Sequence, residues 1–299
     1  MQHGMLIDPY NRKITSLRIS ITSQCNLNCF YCHNEGQSRH ESQMSAGHIA
    51  NVIKTAAKLG VTKVKFSGGE PLMRQDFEDI LAAMPKFRNV SATTNGILLL
   101  KRAATLKSAG LDRVNVSLDT MQPQTYARIC QCSENIHRMV LEGIYSAIDA
   151  GLTPVKLNMV MLKGINEDEL DDMISFARGF DGDVILQIIE PLDFGNYGGS
   201  VDMDAIEMDL ESRASDVVER KMHRRKKYMV DGAEVEVVRP IDNSRFCANC
   251  NRIRLTANGN LKPCLLVNDN LVDISNADIH ELETLFYKAV SLREPFYKG

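Results

Sequence analysis

Three cysteines and a histidine fall within nine positions of the segment CNLNCFYCHN, residues 25–34. Cys25, Cys29 and Cys32 have the spacing C-x-x-x-C-x-x-C, and His33 follows directly. Such a group suits four kinds of site: covalently attached haem, zinc, an iron–sulfur cluster, or buried thiols without a metal. Because these alternatives imply different proteins, the rest of the chain has to distinguish them.

Composition and cysteine usage favour a cytoplasmic protein that binds metal or performs redox chemistry. The chain has 299 residues, of which 44% are hydrophobic and 24% charged, and its net charge is −3. No segment approaches the ~18 apolar residues of a membrane span, and residues 1–13 lack the apolar region of an export signal. Grouped cysteines in such a chain more often bind metal than form disulfides. Covalent haem, which we expect to require export, is therefore disfavoured.

A second group of cysteines lies near the C-terminus and consists of Cys247, Cys250 and Cys264. A structural zinc site takes four protein ligands, whereas three thiolates leave one iron of a cubane cluster for substrate or cofactor. Zinc stays open at this point, because His33 or His280 could complete a site. Cys130 and Cys132 belong to no motif and are predicted to be incidental.

The elements that must position these cysteines alternate along the first two-thirds of the chain. Short runs of branched residues predict strands at 17–21, 64–66, 90–94, 113–118, 154–161 and 184–189. Helical periodicity between them predicts helices over 44–60, 77–84, 96–110, 135–151 and 166–180. Six β-then-α units favour a parallel sheet and are too few for a closed eight-stranded barrel. The fold class is therefore α/β, a partial (β/α)6 TIM-like barrel with its active site at the carboxyl ends of the strands.

The pattern changes after about residue 195. The predicted segments are a glycine-rich linker (194–200), an acidic helix (202–220), antiparallel stretches (234–240 and 253–266) and a final helix (276–292). An Asn-Gly pair at 258–259 predicts a hairpin turn. We therefore predict two domains, 1–194 and 195–299, the second a C-terminal extension that carries the second cysteine group.

The first cysteine group, with Tyr31 before its last cysteine, resembles the signature of the radical S-adenosylmethionine (SAM) enzymes. The resemblance implies that the thiolates hold a 4Fe-4S cluster whose fourth iron binds SAM. The sequence SGGEP, at 67–71, follows the second predicted strand, where that family receives the methionine amino group, and Glu70 adds an acceptor there. The implied SAM contacts are Tyr31 beside the adenine, Gly69, Ser117, and Leu192, where the family usually has methionine.

The segment CANCNRIRLTANGNLKPCL, at 247–265, resembles the GTP 3′,8-cyclases, which perform the first step of molybdenum cofactor biosynthesis. That resemblance covers 17–265 and implies conversion of GTP to (8S)-3′,8-cyclo-7,8-dihydroguanosine 5′-triphosphate, with a second 4Fe-4S cluster whose open iron binds guanine. The implied substrate-binding residues are Arg18, Lys65, Thr93, Lys156, Arg252 and Arg254. Where the family usually has an arginine near the end of strand six, this chain has Gln187.

The chemistry explains why such residues are needed. Breaking an unactivated C–H bond is beyond any side-chain base, so a cofactor must supply the radical and the protein the geometry. Guanidinium groups stay charged and bind phosphate through two parallel hydrogen bonds. The resemblance further implies an unidentified reductant and a downstream cyclic pyranopterin monophosphate synthase as partners, and it allows a homodimer.

Two other functions remain open from the sequence alone. One is a different radical SAM enzyme with an auxiliary cluster, for example a peptide-modifying enzyme. The other is a zinc-stabilised nucleic-acid-binding protein that uses the basic run KMHRRKKY, at 221–228. The acidic balance of the chain disfavours nucleic acid and membrane partners. We therefore predict that the run is a solvated helix end, or else a rim that steers an anionic nucleotide inward.

Overall fold

The computed structural model describes residues 4–38, 42–192, 201–220, 223–240 and 244–297. The predicted linker at 194–200, the predicted boundary between residues 194 and 195, and the terminal Gly299 lie outside these ranges. The division into two domains therefore stays a prediction. None of the described helices is long and apolar enough to cross a membrane.

The strands of the described residues join into a single sheet. They are β1 (Ser16–Ser20), β2 (Lys63–Ser67), β3 (Asn89–Thr94), β4 (Arg113–Ser117), β5 (Val155–Val160), β6 (Val184–Ile189), β7 (Ala214–Glu219), β8 (Lys226–Val230), β9 (Ala233–Val238), β10 (Arg252–Leu255), β11 (Asn260–Lys262) and β12 (Val272–Asp273). Their spatial order is β12-β11-β10-β1-β2-β3-β4-β5-β6-β9-β8-β7. Because the order is linear, the barrel is open.

The helices of the described residues connect and flank these strands. They are α1 (Ala46–Lys58), α2 (Phe77–Ala82), α3 (Leu99–Ser108), α4 (Pro123–Cys130), α5 (Asn135–Asp149), α6 (Leu170–Arg178), α7 (Met203–Arg213), α8 (Ser244–Ala248) and α9 (Leu282–Ser291). Strands β1 to β6 lie in chain order and pair in parallel, with helices between them. The predicted partial (β/α)6 barrel is thereby confirmed.

The C-terminal third extends the sheet at both of its edges. Strand β9 pairs in parallel with β6, and β10 pairs in parallel with β1. The hairpin β10–β11 is antiparallel, as the sequence predicted, and β9 forms a second antiparallel hairpin with β8, a strand that was not predicted. The parallel pairing of β9 with β6 and of β10 with β1 was not predicted. An edge strand can pair with any strand that has a suitable pattern, and no local sequence signal indicates which one.

Three local predictions differ from the structure. The predicted helix over 202–220 ends at Arg213, because the branched residues that follow pair with β8 as strand β7. The basic run was predicted as a helix end, but its described part, 223–228, is a turn that leads into β8. Helix α4 was missed, although Pro123 stands in its first turn, a favoured position.

The two faces of the sheet differ in polarity. One face carries fully buried apolar residues such as Leu17, Phe66, Val114, Leu157 and Leu186, each of which contributes about 1.5–3 kcal/mol through burial. The residues between them point to the other face and are mostly polar or charged. A parallel sheet inside an α/β fold is usually apolar on both faces. The polar face therefore has to be explained by something that it binds.

Candidate active site

The polar face of the sheet lines a cavity of roughly 400 Å³. Eleven lysine and arginine residues line it among the described residues, against three glutamates. Strands, the β7–β8 turn and the second cysteine group all contribute to its wall. Such an excess of cations in a confined space attracts an anion with several charges.

The sheet register aligns cations from distant parts of the sequence. Arg18 on β1 lies opposite Lys65 on β2 and opposite Arg254 on β10. Ser16, two residues earlier on the same face, lies opposite Arg252. The parallel attachment of β10 to β1 therefore places both C-terminal arginines beside the N-terminal cations.

Glu35 holds two of these arginines in place. Its carboxylate oxygens lie 3.2 Å from Nη1 of Arg18 and 2.6 Å from Nη1 of Arg254. Burial raises the pKa of Glu35, but the two guanidinium groups outweigh that effect and hold the pKa well below its usual range. Glu35 is therefore ionised and orients the two guanidinium groups.

Lys65 and Arg252 have no such counterion among the described residues. The Lys65 ammonium forms no ion pair there, and Nε of Arg252 is buried without a hydrogen-bond partner. Burial, followed by the charge of Arg18, lowers the pKa of both groups well below their usual values. Buried cations without partners are costly, so these two are arranged for a ligand that carries negative charge.

A second carboxylate organises the opposite end of the cavity. Glu236 on β9 is fully buried, and its Oε1 lies 2.7 Å from Nζ of Lys156 and within ion-pair distance of Arg220. Its Oε2 accepts a hydrogen bond of 2.6 Å from Gln187 and lies 3.6 Å from Arg225. Burial lowers the pKa of Lys156 to about 7 against the opposing effect of Glu236.

The first cysteine group lies on a loop that backbone hydrogen bonds hold against the SGGEP turn. The Gly69 amide donates to the carbonyl of Thr22 at 2.9 Å, and the Glu70 amide donates to that of Gln24 at 2.7 Å. The contact is so close that a Cβ on Gly69 would lie 2.1 Å from the oxygen of Gln24. Only glycine permits this approach, which fixes Cys25 beside the turn.

The other side of the same loop packs on the C-terminal end of α4. The amides of Asn28 and Phe30 donate to the carbonyls of Cys130 and Ile129 at 3.2 and 3.1 Å. Cys29, between them, lies near the buried thiol of Cys130, and this neighbour raises the pKa of Cys29 more than burial does. Cys130 is therefore a packing partner of the first group, a contact that its sequence context did not indicate.

Both groups provide donors that fit an iron–sulfur cluster. In each group the thiols interact electrostatically with one another, and each described cysteine is free of disulfides. Backbone N–H groups point at the sulfurs, from Leu27 to Cys25 at 3.5 Å and from Tyr297 to Cys247. Among the described residues, no three His, Cys, Asp or Glu side chains are arranged around one metal ion. A four-iron cluster takes each thiolate on a separate iron, which suits spaced thiols with N–H···S contacts.

Comparison with known proteins agrees with this geometry. Residues 19–177 match the Radical SAM superfamily, and 184–298 match the family Molybdenum Cofactor Synthesis C. The chain is 57% identical to a probable GTP 3′,8-cyclase of Methanosarcina mazei and 56% identical to one of Methanosarcina acetivorans, in each case over 99% of this chain and 91% of that protein. It resembles the structure of Streptococcus suis SuiB bound to S-adenosylmethionine, with a TM-score of 0.68 and 15% identity over 95% of this chain and 69% of that chain.

This chain belongs to the radical SAM superfamily, within the GTP 3′,8-cyclase family. The family assignment that the two cysteine motifs suggested is thereby confirmed. The likeness to SuiB concerns the fold alone.

Within this radical SAM fold, twelve of the sixteen predicted site residues line the cavity. They are Arg18, Tyr31, Lys65, Thr93, Ser117, Lys156, Leu192, Cys247, Cys250, Arg252, Arg254 and Cys264. Gly69, Cys25, Cys29 and Cys32 do not line it; they lie in the loops after β1 and β2, next to the cavity residue Tyr31. The structure thus brings the set together, while the role of each member stays a prediction.

Two predicted contacts take a different form from the one expected. Glu70 accepts hydrogen bonds from the Leu72 amide, the Thr94 hydroxyl and the Asn95 amide at 2.9, 2.7 and 2.6 Å. Its carboxylate is therefore occupied within the protein and joins the turn to the end of β3. The hydroxyl of Tyr31 donates to Asp119 at 2.7 Å, which fixes the ring at the cavity wall, while its predicted contact with the adenine stays a prediction.

The sequence reasoning missed several cavity residues. They are Glu35, Lys63, Arg113, Arg220, His223 and Arg225, and behind them Glu236, which binds the cavity residue Gln187. One signal could have found the strand residues: KVKFS, RVNVS and AEVEVV alternate polar with apolar positions. In strands buried on both faces, such alternation indicates a polar interior. Arg225 belongs to the run 221–228, whose interpretation as a solvated helix end is wrong for its described part.

Proposed function

We propose that the cationic cavity binds GTP between two 4Fe-4S clusters, one on each cysteine trio. The enzyme is a GTP 3′,8-cyclase that acts in molybdenum cofactor synthesis. It is a radical enzyme that uses S-adenosylmethionine and iron–sulfur clusters. The observation that supports the nucleotide site is the pair of buried cations, Lys65 and Arg252, neither of which pairs with a carboxylate of the described residues.

We propose distinct roles for the residues around each cluster. Cys25, Cys29 and Cys32 would hold the cluster that supplies the electron for SAM cleavage, and the radical that abstracts hydrogen from C3′ of GTP would come from SAM. Tyr31, Gly69, Ser117 and Leu192 would position SAM. Cys247, Cys250 and Cys264 would hold the second cluster, on the guanine side of the substrate.

The triphosphate is the natural ligand of the remaining cations. It carries three to four negative charges at neutral pH, and the cavity holds its cations in fixed positions through Glu35 and Glu236. Arg18, Lys65, Lys156, Arg252 and Arg254 are the proposed contacts, and Thr93, whose Oγ1 is buried without a hydrogen-bond partner in the described residues, is a further one. Fixed donors that bind all three phosphates restrain the ribose, which positions C3′ for reaction.

Arg220 and Arg225 lie near Gln187, the position on strand β6 at which the chain has no cation. Gln187 donates to Glu236, and the same carboxylate also lies near Arg220 and Arg225 from the β7–β8 hairpin. The hairpin therefore supplies the charge that strand β6 lacks. We expect a cytoplasmic enzyme that receives electrons from a separate reductant and passes its product to a cyclic pyranopterin monophosphate synthase; a homodimer is allowed.

The decisive experiment follows the abstracted hydrogen. The protein with both clusters is incubated anaerobically with SAM, a reductant and GTP deuterated at C3′. Deuterium in the 5′-deoxyadenosine is expected, since the radical takes that hydrogen. If SAM is cleaved and the 5′-deoxyadenosine carries no deuterium, C3′ of GTP is not the site of hydrogen abstraction.

A further inference from the structure

A buried ion-pair hub joins the two ends of the chain beneath the second cysteine trio. Asp8 is 4% exposed, and its Oδ2 lies 2.6 Å from Nε of Arg12 and 2.8 Å from Nε of Arg293. Its Oδ1 accepts hydrogen bonds from the amides of Tyr10 and Arg12 at 3.0 and 2.9 Å. One carboxylate thus fixes two guanidinium planes, one from each end of the chain.

The two guanidinium groups bind the backbone at all three cysteines. Arg12 donates to the carbonyl of Cys247 at 2.9 Å, and Arg293 donates to that of Cys250 at 2.9 Å. Arg293 also donates to the carbonyl of Pro263, which precedes Cys264, at 3.1 Å. The carbonyl of Arg252 is a further acceptor of Arg293.

The same groups reach the sulfur of the trio and the last residues of the chain. The guanidinium of Arg293, which donates to the Cys250 carbonyl, also places its positive charge near the Cys250 thiol. Arg12 donates to the carbonyls of Glu294 and Pro295 at 2.6 and 2.9 Å. Strands β10 and β11 lie between Cys250 and Cys264, so side-chain forks hold the backbone next to the three thiols in addition to the sheet.

We propose that Asp8, Arg12 and Arg293 form a positioning unit that sets the second cysteine trio in its ligating arrangement before the cluster is bound. The identity of the cluster rests on the proposed function, whereas the arrangement of the trio does not. The planar guanidinium fork binds two carbonyls at once in a fixed geometry, and a lysine ammonium cannot reproduce it. A loop that is ordered in advance loses less conformational entropy when it binds its ligand.

Arg293 has a second consequence for the bound cluster. Its positive charge lies next to the sulfur of Cys250, and hydrogen bonds and charges near the sulfurs set the potential of such clusters. A cation stabilises the more negative, reduced state. Loss of the charge at residue 293 is therefore expected to lower the reduction potential of the second cluster and to leave the first unchanged.

The test uses conservative variants of the full chain, reconstituted anaerobically with iron and sulfide. Arg12→Lys and Arg293→Lys keep the charge and lose the fork, and Asp8→Asn releases both arginines. The matched control is Arg102→Lys, because Arg102 also binds two backbone carbonyls, those of Leu72 and Arg74, and a carboxylate, that of Glu78, away from the second trio. The readouts are iron per chain, the potential of each cluster by EPR, and the melting temperature of the cluster-free protein.

Two clusters correspond to about eight irons per chain. We expect the Arg12, Arg293 and Asp8 variants to retain about four, those of the first cluster, and still to cleave SAM, while Arg102→Lys retains about eight. A further variant, Arg293→Met, removes the charge that Arg293→Lys keeps. In the molecules that retain the second cluster, its reduction potential should fall in Arg293→Met and stay near that of the wild type in Arg293→Lys.

Other results would overturn the proposal. If the three variants melt at lower temperature than the wild type but retain about eight irons, the hub stabilises the fold and does not position the trio. An unchanged potential in Arg293→Met would show that the charge at residue 293 does not act on the second cluster. If a variant does not fold, the remaining two decide by the same criteria. A wild-type protein that binds about eight irons but responds to GTP with no spectral change would refute the proposed function and leave the positioning unit in place.

Discussion

The first cysteine trio follows the carboxyl end of β1, the second begins before the amino end of the parallel strand β10, and the two are held by different kinds of interaction. The first spans eight positions, 25–32, and is held mostly by backbone hydrogen bonds to the SGGEP turn and to α4. The second spans eighteen positions, 247–264, and is held by arginine side chains from both ends of the chain. The first trio therefore depends on its near neighbours in the fold, and the second on residues up to 285 positions apart.

This difference in support matches the ligands proposed for the two clusters, SAM for the first and GTP for the second. The turn beside the first trio contains glycines whose backbone approaches the loop so closely that no Cβ would fit. The second trio lies next to Arg252 and Arg254, and its supporting residues also bind the last segment of the chain. We therefore expect damage to the first trio to stop all radical chemistry and damage to the second to stop only the use of GTP.

Removal of one thiol from each trio gives the largest predicted contrast. Cys25→Ala should abolish both SAM cleavage and GTP turnover, because no electron reaches SAM. Cys264→Ala should abolish GTP turnover and keep SAM cleavage that is not coupled to product. The measurement is 5′-deoxyadenosine and cyclised nucleotide in the same anaerobic assay, with iron per chain as the control. Equal loss of SAM cleavage in both variants would contradict the separation of roles.

A methyl group on the SGGEP turn tests the backbone contact that holds the first trio. Gly69→Ala places a Cβ 2.1 Å from the oxygen of Gln24, so the loop that carries Cys25 must move, at a cost of about 1–3 kcal/mol for such overpacking. Gly47→Ala, in the first turn of α1, is the matched control, since nothing lies within 4 Å of its Cβ.

Cluster content and thermal unfolding measure the result. Gly69→Ala should lower the iron of the first cluster and the rate of SAM cleavage, while the potential of the second cluster stays the same. Gly47→Ala should match or slightly exceed the stability of the wild type, because alanine favours a helix. A Gly69→Ala protein with normal SAM cleavage would show that the close approach is not required.

The smallest predicted effect concerns pH and the Glu236 end of the cavity. Burial lowers the pKa of Lys156 to about 7, so above pH 7 its ammonium loses its proton in the absence of a ligand. A bound triphosphate favours the charged form, so binding then requires proton uptake and the Kd for GTP should rise with pH, by at most about tenfold per unit.

Lys156→Arg provides the control, because a guanidinium stays charged over this range. Its Kd for GTP should change less than that of the wild type between pH 7 and 9, as measured by calorimetry in the absence of SAM. The carboxylate of Glu236 contacts the same amine, and the guanidinium groups of Arg220 and Arg225 contact that carboxylate. Identical pH profiles of the two proteins would exclude Lys156 as the titrating contact.

The sequence allowed the fold class, the bounds of β1 to β6 and both cysteine trios to be predicted. Those features depend on short-range patterns: branched runs, helical periodicity and cysteine spacing. Strand β7, predicted as part of an acidic helix, shows the limit, because pairing with β8 overrode a weak local preference. Arg225 was predicted to lie on a solvated helix end, because its local sequence does not reveal its burial. That burial comes from the hairpin and from Glu236 in another strand.

By itself, the sequence determined which chemistry the chain can perform, because thiolates, glycines and guanidinium groups carry their reactivity and their spacing with them. Only the tertiary structure decided which of those groups meet. The attachment of β10 to β1 aligned Arg252 and Arg254 with Arg18 and Lys65, and Asp8 joined Arg12 to Arg293 beneath the second trio. Such contacts join residues hundreds of positions apart, and their free energy depends on the whole packed sheet, so no local pattern records them.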